Sequence, residues 1–326
     1  MRSKFLILPL LIIPLVSCSI NKEIKRNSFY FDAYTETRLF EGNESDLNNI
    51  EQIFIKLDKL TDNYLARDLN NVYKINNTTE NAEVEPELYD VLEKTFSTEL
   101  SSLNYFNPLC GSLSKAWKES LQNKQVLDTL SIESELLKMQ DSHLEFVGKN
   151  VVKKVGEAEI DLGAVANGYA LDKVKEYLDQ KKYTKYLIDA GSSSLLLGEK
   201  ENGKNFKIKI ENLDSSFLSL KNCFISTSSS SRQAVVIDGK VYSHIINPVN
   251  GSALNEYDAV IVISNSGYLG DILSTAFINE SIDSIKQLEQ QYNVQSIVIK
   301  DKTIVYQNEN VEVLNKWKNK SKTTSF

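Results

Sequence analysis

The apolar and polar residues of this chain alternate in two periods, one typical of strands and one typical of helices. Residues 29–40 (FYFDAYTETRLF) alternate with a period of two, which predicts a strand. Residues 47–65 carry apolar side chains at helical spacing, and Pro86 stands at the favoured first position of a helix predicted over 87–100. Further helices are predicted over 112–121, 132–139, 161–178, 268–279 and 281–292.

Strand-like segments are more frequent in the second half of the chain. Asp238-Gly239, between two apolar stretches, is typical of a tight hairpin turn. Because strands and helices alternate irregularly, the pattern favours an α+β fold over a doubly wound sheet. We therefore predict one large mixed domain over residues 29–310 and a C-terminal tail over 311–326. The remaining strands are predicted over 144–155, 157–162, 186–188, 195–197, 206–210, 217–219, 223–226, 234–237, 259–264, 294–299 and 303–306.

The N-terminus has the pattern of a secretion signal. Residues 1–4 are basic, and residues 5–16 form an uninterrupted apolar run, shorter than the roughly 20 residues of a membrane-spanning helix. Cys18 follows a small residue at the end of this run and resembles the lipidated cysteine of bacterial lipoproteins. We expect residues 1–17 to be a lipoprotein signal peptide and residues 18–28 a polar tether. Cys18 would then carry acyl chains such as palmitate and anchor the protein to the extracytoplasmic side of the cell membrane. The alternative is an ordinary signal peptide with a chance cysteine.

The charge balance disfavours a nucleic-acid partner. The chain has 37 lysines and arginines against 44 aspartates and glutamates, a formal charge of −7. Loss of Arg2 and Lys4 with the signal peptide would change this charge to −9. A binder of duplex nucleic acid normally needs a basic face, and a net acidic chain offers little for one.

The counts of histidine and cysteine limit the possible metal sites. Only two histidines are present, His143 and His244, which excludes a histidine-rich centre, so a metal here would be bound mostly by oxygen. Cys110 and Cys223 form no disulfide framework in a chain of this length. They either pair with each other or remain buried thiols.

Glycines concentrate in one part of the chain, where two segments suggest phosphate binding. Ten of the 13 glycines lie between Gly156 and Gly270. Residues 161–172 (DLGAVANGYALD) predict a glycine turn that leads into a helix, and such turns offer backbone amides to phosphate. Residues 189–194 (DAGSSS) form a turn of small residues that lets a ligand approach the backbone. Tight packing of strand against helix would also explain both segments.

Three later segments carry side chains with suitable chemistry. Residues 226–231 (STSSSS) offer hydroxyl donors to phosphate oxygens, although serine runs are often only loops. His244 lies in residues 243–251 (SHIINPVNG), in an apolar context that is also common for structural histidines. Asp271 and Thr275 stand four residues apart on one helix face, and a carboxylate with a hydroxyl suits Mg²⁺. On spacing alone, the interpretation of Asp271 as a helix cap is favoured.

Taken in order, these segments resemble the ApbE family of bacterial FAD:protein FMN transferases. That family carries strings similar to DLGAIAKGYAxD, a following GG turn, TSG, HIIDPxTG and DALATA. Residues 106–117 (FNPLCGSLSKAW) resemble another family string, FDPTVGPLVNxW, and residues 62–76 and 31–40 match more loosely. The resemblance covers roughly residues 29–310.

The resemblance implies an enzyme that binds FAD and uses a divalent metal, usually Mg²⁺. Members of the family attach FMN through a phosphoester to a Thr or Ser hydroxyl of another protein and release AMP. By motif position, Asp271 and Thr275 would bind the metal through their side chains, and Ala164 through its carbonyl oxygen. Asp271 and His244 would be the catalytic residues, with His244 as the base near the acceptor hydroxyl.

The resemblance also implies a set of cofactor contacts. Thr227 and Ser228 lie where the family lines the pyrophosphate or the path of the acceptor. The positions where the family contacts flavin or nucleotide are Tyr64, Phe106, Asn107, Asp161, Asn167, His244 and Ile245.

Several positions depart from the family pattern. Asn167 replaces the usual lysine, and Asn247 the usual aspartate. Ser192 and Ser229 replace glycines, and residues 33–35 (AYT) stand where the family has MGT. Asp161, like the metal and base residues named above, is present, so we predict an active enzyme with altered affinity. Two alternatives remain: hydrolysis of FAD to FMN and AMP, and a lipoprotein that binds FAD without chemistry.

Overall fold

A computed structural model describes residues 23–315 except 98–99, 101–102, 201–202, 212 and 214. The expected signal peptide, Cys18 and residues 316–326 of the expected tail lie outside the described residues. Within the described part, no helix combines the length and the apolar character needed to cross a membrane.

Eight helices are present in the described residues. Asn43 begins the first with a reciprocal capping box, in which its side chain and that of Asp46 each accept a main-chain hydrogen bond. Pro86 occupies the first turn of the third helix, as predicted. The helices are α1 (Glu44–Thr61), α2 (Val72–Asn76), α3 (Pro86–Thr95), α4 (Gly111–Gln122), α5 (Thr129–Gln140), α6 (Ala166–Gln180), α7 (Gly267–Phe277) and α8 (Ile282–Tyr292).

Sixteen strands accompany these helices in the described residues. They are β1 (Ile24–Tyr30), β2 (Ala33–Leu39), β3 (Ala82–Glu83), β4 (His143–Gly148), β5 (Val151–Val155), β6 (Tyr186–Ala190), β7 (Ser194–Leu197), β8 (Phe206–Lys209), β9 (Ser216–Leu220), β10 (Cys223–Ser229), β11 (Val235–Ile237), β12 (Lys240–Tyr242), β13 (Ala259–Ser264), β14 (Gln295–Lys300), β15 (Thr303–Gln307) and β16 (Val313–Asn315).

An antiparallel sheet of eight strands organises the fold, in the order β1-β2-β6-β7-β10-β13-β14-β15. Alternate residues of its central strands face two different cores. In β13, Val260 and Val262 belong to the core shared with the helices, whereas Ile261 and Ile263 belong to a smaller core with residues of β8 and β9. Because both faces are covered, β13 is buried along its whole length. The predicted α+β class is confirmed.

Two segments predicted as single strands are hairpins. Residues 29–40 include the end of β1, a turn at Phe31 and Asp32 with φ of 53° and 56°, and β2. Residues 144–155 include β4 and β5, with a turn at Asn150 whose φ is 58°. In the first hairpin the turn residues continue the apolar–polar alternation, so the pattern does not reveal the turn.

Other boundaries also differ from the sequence prediction. Residues 24–28, expected to be tether, belong to β1, and β16 lies within the expected C-terminal tail. Residues 157–162 form no strand, because their main chain bonds to loops and side chains. For example, Ile160 N donates to the Asn76 side chain at 2.8 Å. The helix predicted over 87–100 ends at Thr95. Elements absent from the prediction are α2, β3, β12 and β16.

Candidate functional site

Helices α6 and α7 cross at a point where their backbones touch. Gly168 of α6 packs against Gly267 of α7, and a Cβ atom on Gly168 would overlap the carbonyl oxygen of Gly267. Position 168 of α6 therefore requires glycine, because the two backbones lie too close together for a side chain. The crossing brings the Gly168 amide to the side chain of Asp271, whose Oδ2 accepts its hydrogen bond at 2.7 Å.

Asp271 is buried at the centre of this crossing. Its Oδ1 accepts hydrogen bonds from Ser194 Oγ of β7 at 2.7 Å and from Ser226 Oγ of β10 at 2.6 Å. Burial raises the pKa of this carboxyl to about 7, and the nearby carboxylate of Asp172 adds to the rise. Asp271 thus joins two helices and two strands, but its donors are all neutral.

The alternative interpretation of Asp271 as a helix cap is wrong. The Ser266 side chain caps α7 by accepting a hydrogen bond from Leu269 N at 3.3 Å. Asp172 of α6 accepts two more, from Gly267 N at 2.7 Å and Tyr268 N at 3.1 Å. The first turn of α7 is therefore satisfied without Asp271, which lies one turn further along the helix.

Of the two other predicted metal ligands, Thr275 lies on the same helix as Asp271, and Ala164 lies in the turn before α6. Gly168 is in the first turn of α6, where N–H groups have no partner within the helix, and it donates to Asp271 instead. Among the described residues no main-chain donor bonds to Ala164 O. Thr275 lies one turn after Asp271, and its Oγ1 is 3.3 Å from Ser228 Oγ.

These donors fit a hard divalent cation. A carboxylate, a hydroxyl and a carbonyl are all oxygen ligands, and a buried carboxylate with neutral donors and a like-charged neighbour is stabilised by a cation. In the described part, no cluster of three or more His, Cys, Asp or Glu residues has the arrangement of a metal site. A cation here would therefore rely on one carboxylate and on water or substrate oxygens for its other ligands.

A second group of predicted contacts surrounds Asp161. Its Oδ1 accepts from Gly163 N at 2.8 Å, and its own N donates to Pro108 O at 2.8 Å. This joins the turn before α6 to the loop that contains Phe106, which is buried, and Asn107. Asn107 Oδ1 accepts a hydrogen bond from Leu109 N, which closes a local turn.

Tyr64 belongs to the same group but not to a helix. Helix α1 ends at Thr61, and Asp62 Oδ1 then accepts a hydrogen bond from Tyr64 N at 2.8 Å. The half-exposed ring lies near the ammonium groups of Lys115 (5.1 Å) and Lys118 (4.4 Å). Burial and the charge of Asp161 raise the pKa of the phenol to about 12. An aromatic face with two cations beside it can accept a flat, anionic ligand.

Asn167 contributes a polar atom that has no hydrogen-bond partner among the described residues. Its Oδ1 is buried and accepts no hydrogen bond, and the same holds for Thr35 Oγ1 on β2. Both lie near the corner after β6, since Asn167 approaches Gly191 and Thr35 is paired with Ala190. Buried acceptors without donors are uncommon in proteins and indicate that a ligand or water completes them.

His244 lies in the bend after β12, and its ring has one nitrogen fixed by the protein. Its Nδ1 is 3.0 Å from the carbonyl oxygen of Arg232, so Nδ1 carries the hydrogen. Burial by neighbouring residues lowers the pKa of the imidazole, although its outer edge is exposed. The neutral ring therefore has its lone pair on Nε2. Ile245 is buried beside it, and its N donates to Ser243 Oγ.

The turn of residues 191–193 contacts both β10 and the segment that holds His244. Thr227 N donates to Ser193 O at 2.7 Å, which places β10 against this turn. Arg232 donates to Ser192 O at 3.1 Å, which connects the turn to the segment that holds His244. The structure thus places Ser228 against Thr275, one helical turn from Asp271.

Ser194 and Ser226 lie in segments that the sequence analysis identified, but it did not assign them to Asp271, and it did not identify Arg232. The two serines stand at buried strand positions where apolar residues are usual, and this is the signal that would have identified them. Nothing local to Arg232 indicates its contacts, because they depend on the tertiary fold.

Two cavities lie away from the predicted site residues. One, of about 240 Å³, lies between α1 and α6, and the other, of about 490 Å³, lies beside α8 and β15. Neither is lined by a motif residue. The described cysteines are unpaired, and burial raises the pKa of both Cys110 and Cys223 to about 12, so neither is a reactive thiolate.

Of the departures from the family pattern, Asn247 retains a clear structural role. Its Oδ1 accepts a hydrogen bond from Val249 N at 2.9 Å, and its carbonyl accepts one from Gly251 N at 2.8 Å. An aspartate would accept the same side-chain bond. The loop of residues 247–251 therefore tolerates either residue.

Comparison with known proteins identifies relatives by sequence and by fold. The model of the ApbE family matches residues 30–298. An FAD:protein FMN transferase of Klebsiella pneumoniae (strain 342) is 30% identical over 205 residues, 61% of this chain and 65% of that relative. The match therefore spans slightly less than two thirds of the relative's length.

Two solved structures share the fold. The ApbE protein of Thermotoga maritima has a TM-score of 0.73 at 19% identity, over 93% of this chain and 100% of that chain. The flavin transferase ApbE of Vibrio cholerae has a TM-score of 0.72 at 18% identity, over 88% and 97% of the two chains. At these identities the likeness shows the fold alone.

Proposed function

This chain belongs to the ApbE family, and on that basis we propose that it is a Mg²⁺-dependent FAD:protein FMN transferase. The observation that carries the proposal is the buried carboxylate of Asp271, which accepts a hydrogen bond from the Gly168 amide and lies one helical turn from Thr275. A single carboxylate with neutral oxygen donors suits a cation that is shared with phosphate oxygens.

Ala164, Asp271 and Thr275 would bind Mg²⁺. The ion would neutralise negative charge on the pyrophosphate of FAD. Asp271 is fixed by Gly168, Ser194 and Ser226, so it would not need to reorganise when the ion binds. The hydroxyl of Ser228, which already contacts Thr275, would face the same phosphates.

His244 would act as the general base. Its Nε2 lone pair would take the proton from the Thr or Ser hydroxyl of the acceptor protein. The hydroxyl oxygen then forms a bond to the phosphorus on the riboflavin side, the bond between the two phosphates breaks, and AMP leaves. Lowering of its pKa keeps the imidazole neutral and able to accept that proton.

Tyr64, Phe106, Asn107, Asp161, Asn167 and Ile245 would contact the flavin or nucleotide. The unpaired Asn167 Oδ1 supports a hydrogen bond from the ligand at this position. Lys115, which is paired with Glu159, and Lys118 would place positive charge beside Tyr64 and the ligand. Thr227 and Ser228 would line the pyrophosphate or the acceptor path.

The acceptor would be an extracytoplasmic flavoprotein. The lipoprotein signal expected over residues 1–17 supports this location, with Cys18 as the lipid anchor. Two other activities use the same residues. Water in place of the acceptor would give FMN and AMP, and a site without turnover would only bind FAD.

One incubation separates these three activities. The protein is mixed with FAD, Mg²⁺ and an acceptor protein with a Thr or Ser modification site, and the acceptor is then examined by mass spectrometry and in-gel fluorescence. Covalent FMN on the acceptor supports transfer. Free FMN with AMP supports hydrolysis, and unchanged FAD supports binding alone.

Substitution of Asp271 tests the metal assignment in the same assay. Asp271→Ala is expected to abolish turnover, because it removes the only carboxylate of the proposed metal set. Asp283→Ala, at an exposed position of α8, is the matched control and should retain wild-type turnover. Full activity of Asp271→Ala would show that the metal assignment is wrong, and full transfer by His244→Ala would remove His244 as the base.

A further inference from the structure

Arg232 contacts both His244 and the turn after β6. Its carbonyl oxygen accepts the hydrogen of His244 Nδ1 at 3.0 Å. Its guanidinium donates to the carbonyl oxygens of Ser192 at 3.1 Å and Gly191 at 3.5 Å, and to Glu211 Oε2 at 2.8 Å. The side chain is thus attached to two separate parts of the fold, while the main chain of the same residue holds the imidazole.

We infer that Arg232 is a positioning residue for His244, an inference that rests on the proposed function. A carbonyl oxygen can only accept a hydrogen bond, so its place beside Nδ1 decides that Nδ1 is protonated in the neutral ring. Nε2 then has the free lone pair. If the carbonyl moved away, the imidazole would populate both tautomers. In the Nε2–H tautomer, Nε2 has no free lone pair with which to take the proton of the acceptor hydroxyl.

The main chain at Arg232 has little support of its own. Residues 230–234 form a turn between β10 and β11 and belong to neither strand. The main-chain bond of Arg232 itself is a long one, from its N to Ser229 O at 3.4 Å. The guanidinium contacts are therefore what fixes the orientation of this peptide and of its carbonyl oxygen.

Glu211 completes the arrangement from a different sheet. It follows β8 in the three-stranded sheet, and its side chain is 58% exposed. An ion pair this exposed contributes little to stability, so its effect is on the orientation of the guanidinium. Burial lowers the pKa of the His244 imidazole, and the positive charge of Arg232 lowers it further.

The presence of only two histidines makes the inference directly measurable. Nitrogen-15 NMR of the free protein at pH 8 reports the tautomer of each imidazole without any substrate. We expect His244 to be mainly the Nδ1–H form in the wild type. Arg232→Met should shift its tautomer ratio about tenfold toward Nε2–H, while His143, which contacts Glu145 instead, serves as the internal reference.

Two further variants separate orientation from charge. Arg232→Lys keeps the charge but lacks the planar fork that reaches two carbonyls, so it should shift the ratio as Arg232→Met does. Glu211→Gln, at an exposed position, should give a smaller shift in the same direction. Arg26→Met removes an arginine that contacts Glu44 and Glu51 and should leave His244 unchanged.

Activity adds a second readout. For FMN transfer, Arg232→Met should lower kcat about 10²-fold, as expected for a misplaced catalytic group, and change KM for FAD less than twofold. A wild-type tautomer ratio in both Arg232→Met and Glu211→Gln would overturn the inference, as would full rescue by Arg232→Lys. Absence of FMN transfer in the wild type would instead remove the proposed function and leave the tautomer result standing.

Discussion

The ionisation of Asp271 should make the stability of the metal-free protein depend on pH. Its pKa is raised from 3.8 to about 7, so between these values the folded protein holds a proton that the unfolded chain has lost. The free energy of unfolding should therefore fall as the pH rises from about 4 to about 7, by up to about 1.4 kcal/mol per pH unit from this group. Asp271→Asn should remove this contribution, which urea denaturation in EDTA at a series of pH values measures.

Asp283 again provides the control. Its side chain is 90% exposed, and Asp283→Asn should keep the wild-type pH dependence. If Asp271→Asn has the same slope as the wild type between pH 4 and pH 7, the carboxyl titrates normally and the burial argument fails.

Substitution of Asn167 should change the affinity for FAD without changing the stability of the protein. Because Oδ1 makes no hydrogen bond in the free protein, Asn167→Ala should change the free energy of unfolding by less than about 0.5 kcal/mol. Loss of a hydrogen bond to FAD should weaken binding about tenfold. Fluorescence titration with FAD measures the affinity, and urea denaturation measures the free energy of unfolding.

A matched substitution on α1 checks the Asn167 result. The exposed side chain of Asn49 donates to Tyr177 far from the motif residues, and Asn49→Ala should not change the FAD affinity. If Asn167→Ala and the wild type had equal affinity for FAD, Asn167 Oδ1 would contact water and not the ligand.

The residues that carry chemistry were predictable from sequence only where a motif was local. Asp271 and Thr275 share a helix, and their spacing alone places them on one face. The bonds of Ser226 and Ser194 to Asp271 were not predictable, because Ser226 lies 45 and Ser194 lies 77 residues away from it along the chain. Such contacts follow from strand pairing, which the sequence pattern does not specify.

At the scale of elements, the contact between α6 and α7 determines the geometry of the site. Gly168→Ala would place a methyl group against the carbonyl of Gly267, and neither backbone can move without moving its helix. We expect a loss of about 3 kcal/mol in the free energy of unfolding. The hydrogen bond from the Gly168 amide to Asp271 should lengthen as well, so Mg²⁺ should stabilise the variant less than the wild type. Thermal and urea unfolding with and without Mg²⁺ measure both effects.

Gly148 of β4 is the matched glycine for this test. A Cβ atom there would meet no atom within 4 Å, so Gly148→Ala should be close to wild type. If Gly168→Ala were equally harmless, the close approach of the two helices would not be required for the fold.

Long periodic elements were predicted well, and short or turning ones were not. The helices α4, α5, α7 and α8 lie within three residues of the predicted bounds. The hairpin β1–β2 was missed because its turn keeps the alternation of the strands. Strand β3 has two residues and helix α2 has five, which are too few for a periodic pattern to be visible. Both elements depend on contacts with neighbouring segments.

At the scale of the whole molecule, the crowding of glycines between residues 156 and 270 has a physical explanation. This stretch contains both helices of the crossing and the central strands β7, β10 and β13. Gly270 adds to the close packing, since a Cβ atom there would lie 2.7 Å from Ser226 Oγ. The glycines of the crossing therefore allow its helices and strands to pack backbone to backbone.

The proposed lipid anchor makes a prediction about the location of the whole protein. Two or three acyl chains on Cys18 would hold an acidic protein at a membrane without electrostatic help. Cys18→Ser should therefore move the protein from the membrane fraction to the soluble extracytoplasmic fraction, with FMN transfer in vitro unchanged, because residues 30–298 contain the family match. Fractionation with immunodetection, and mass spectrometry of the N-terminal peptide, measure both the location and the acyl chains. Cys223→Ser is the control and should remain in the membrane fraction. If Cys18→Ser also stayed there, the anchor would have to be something other than this cysteine.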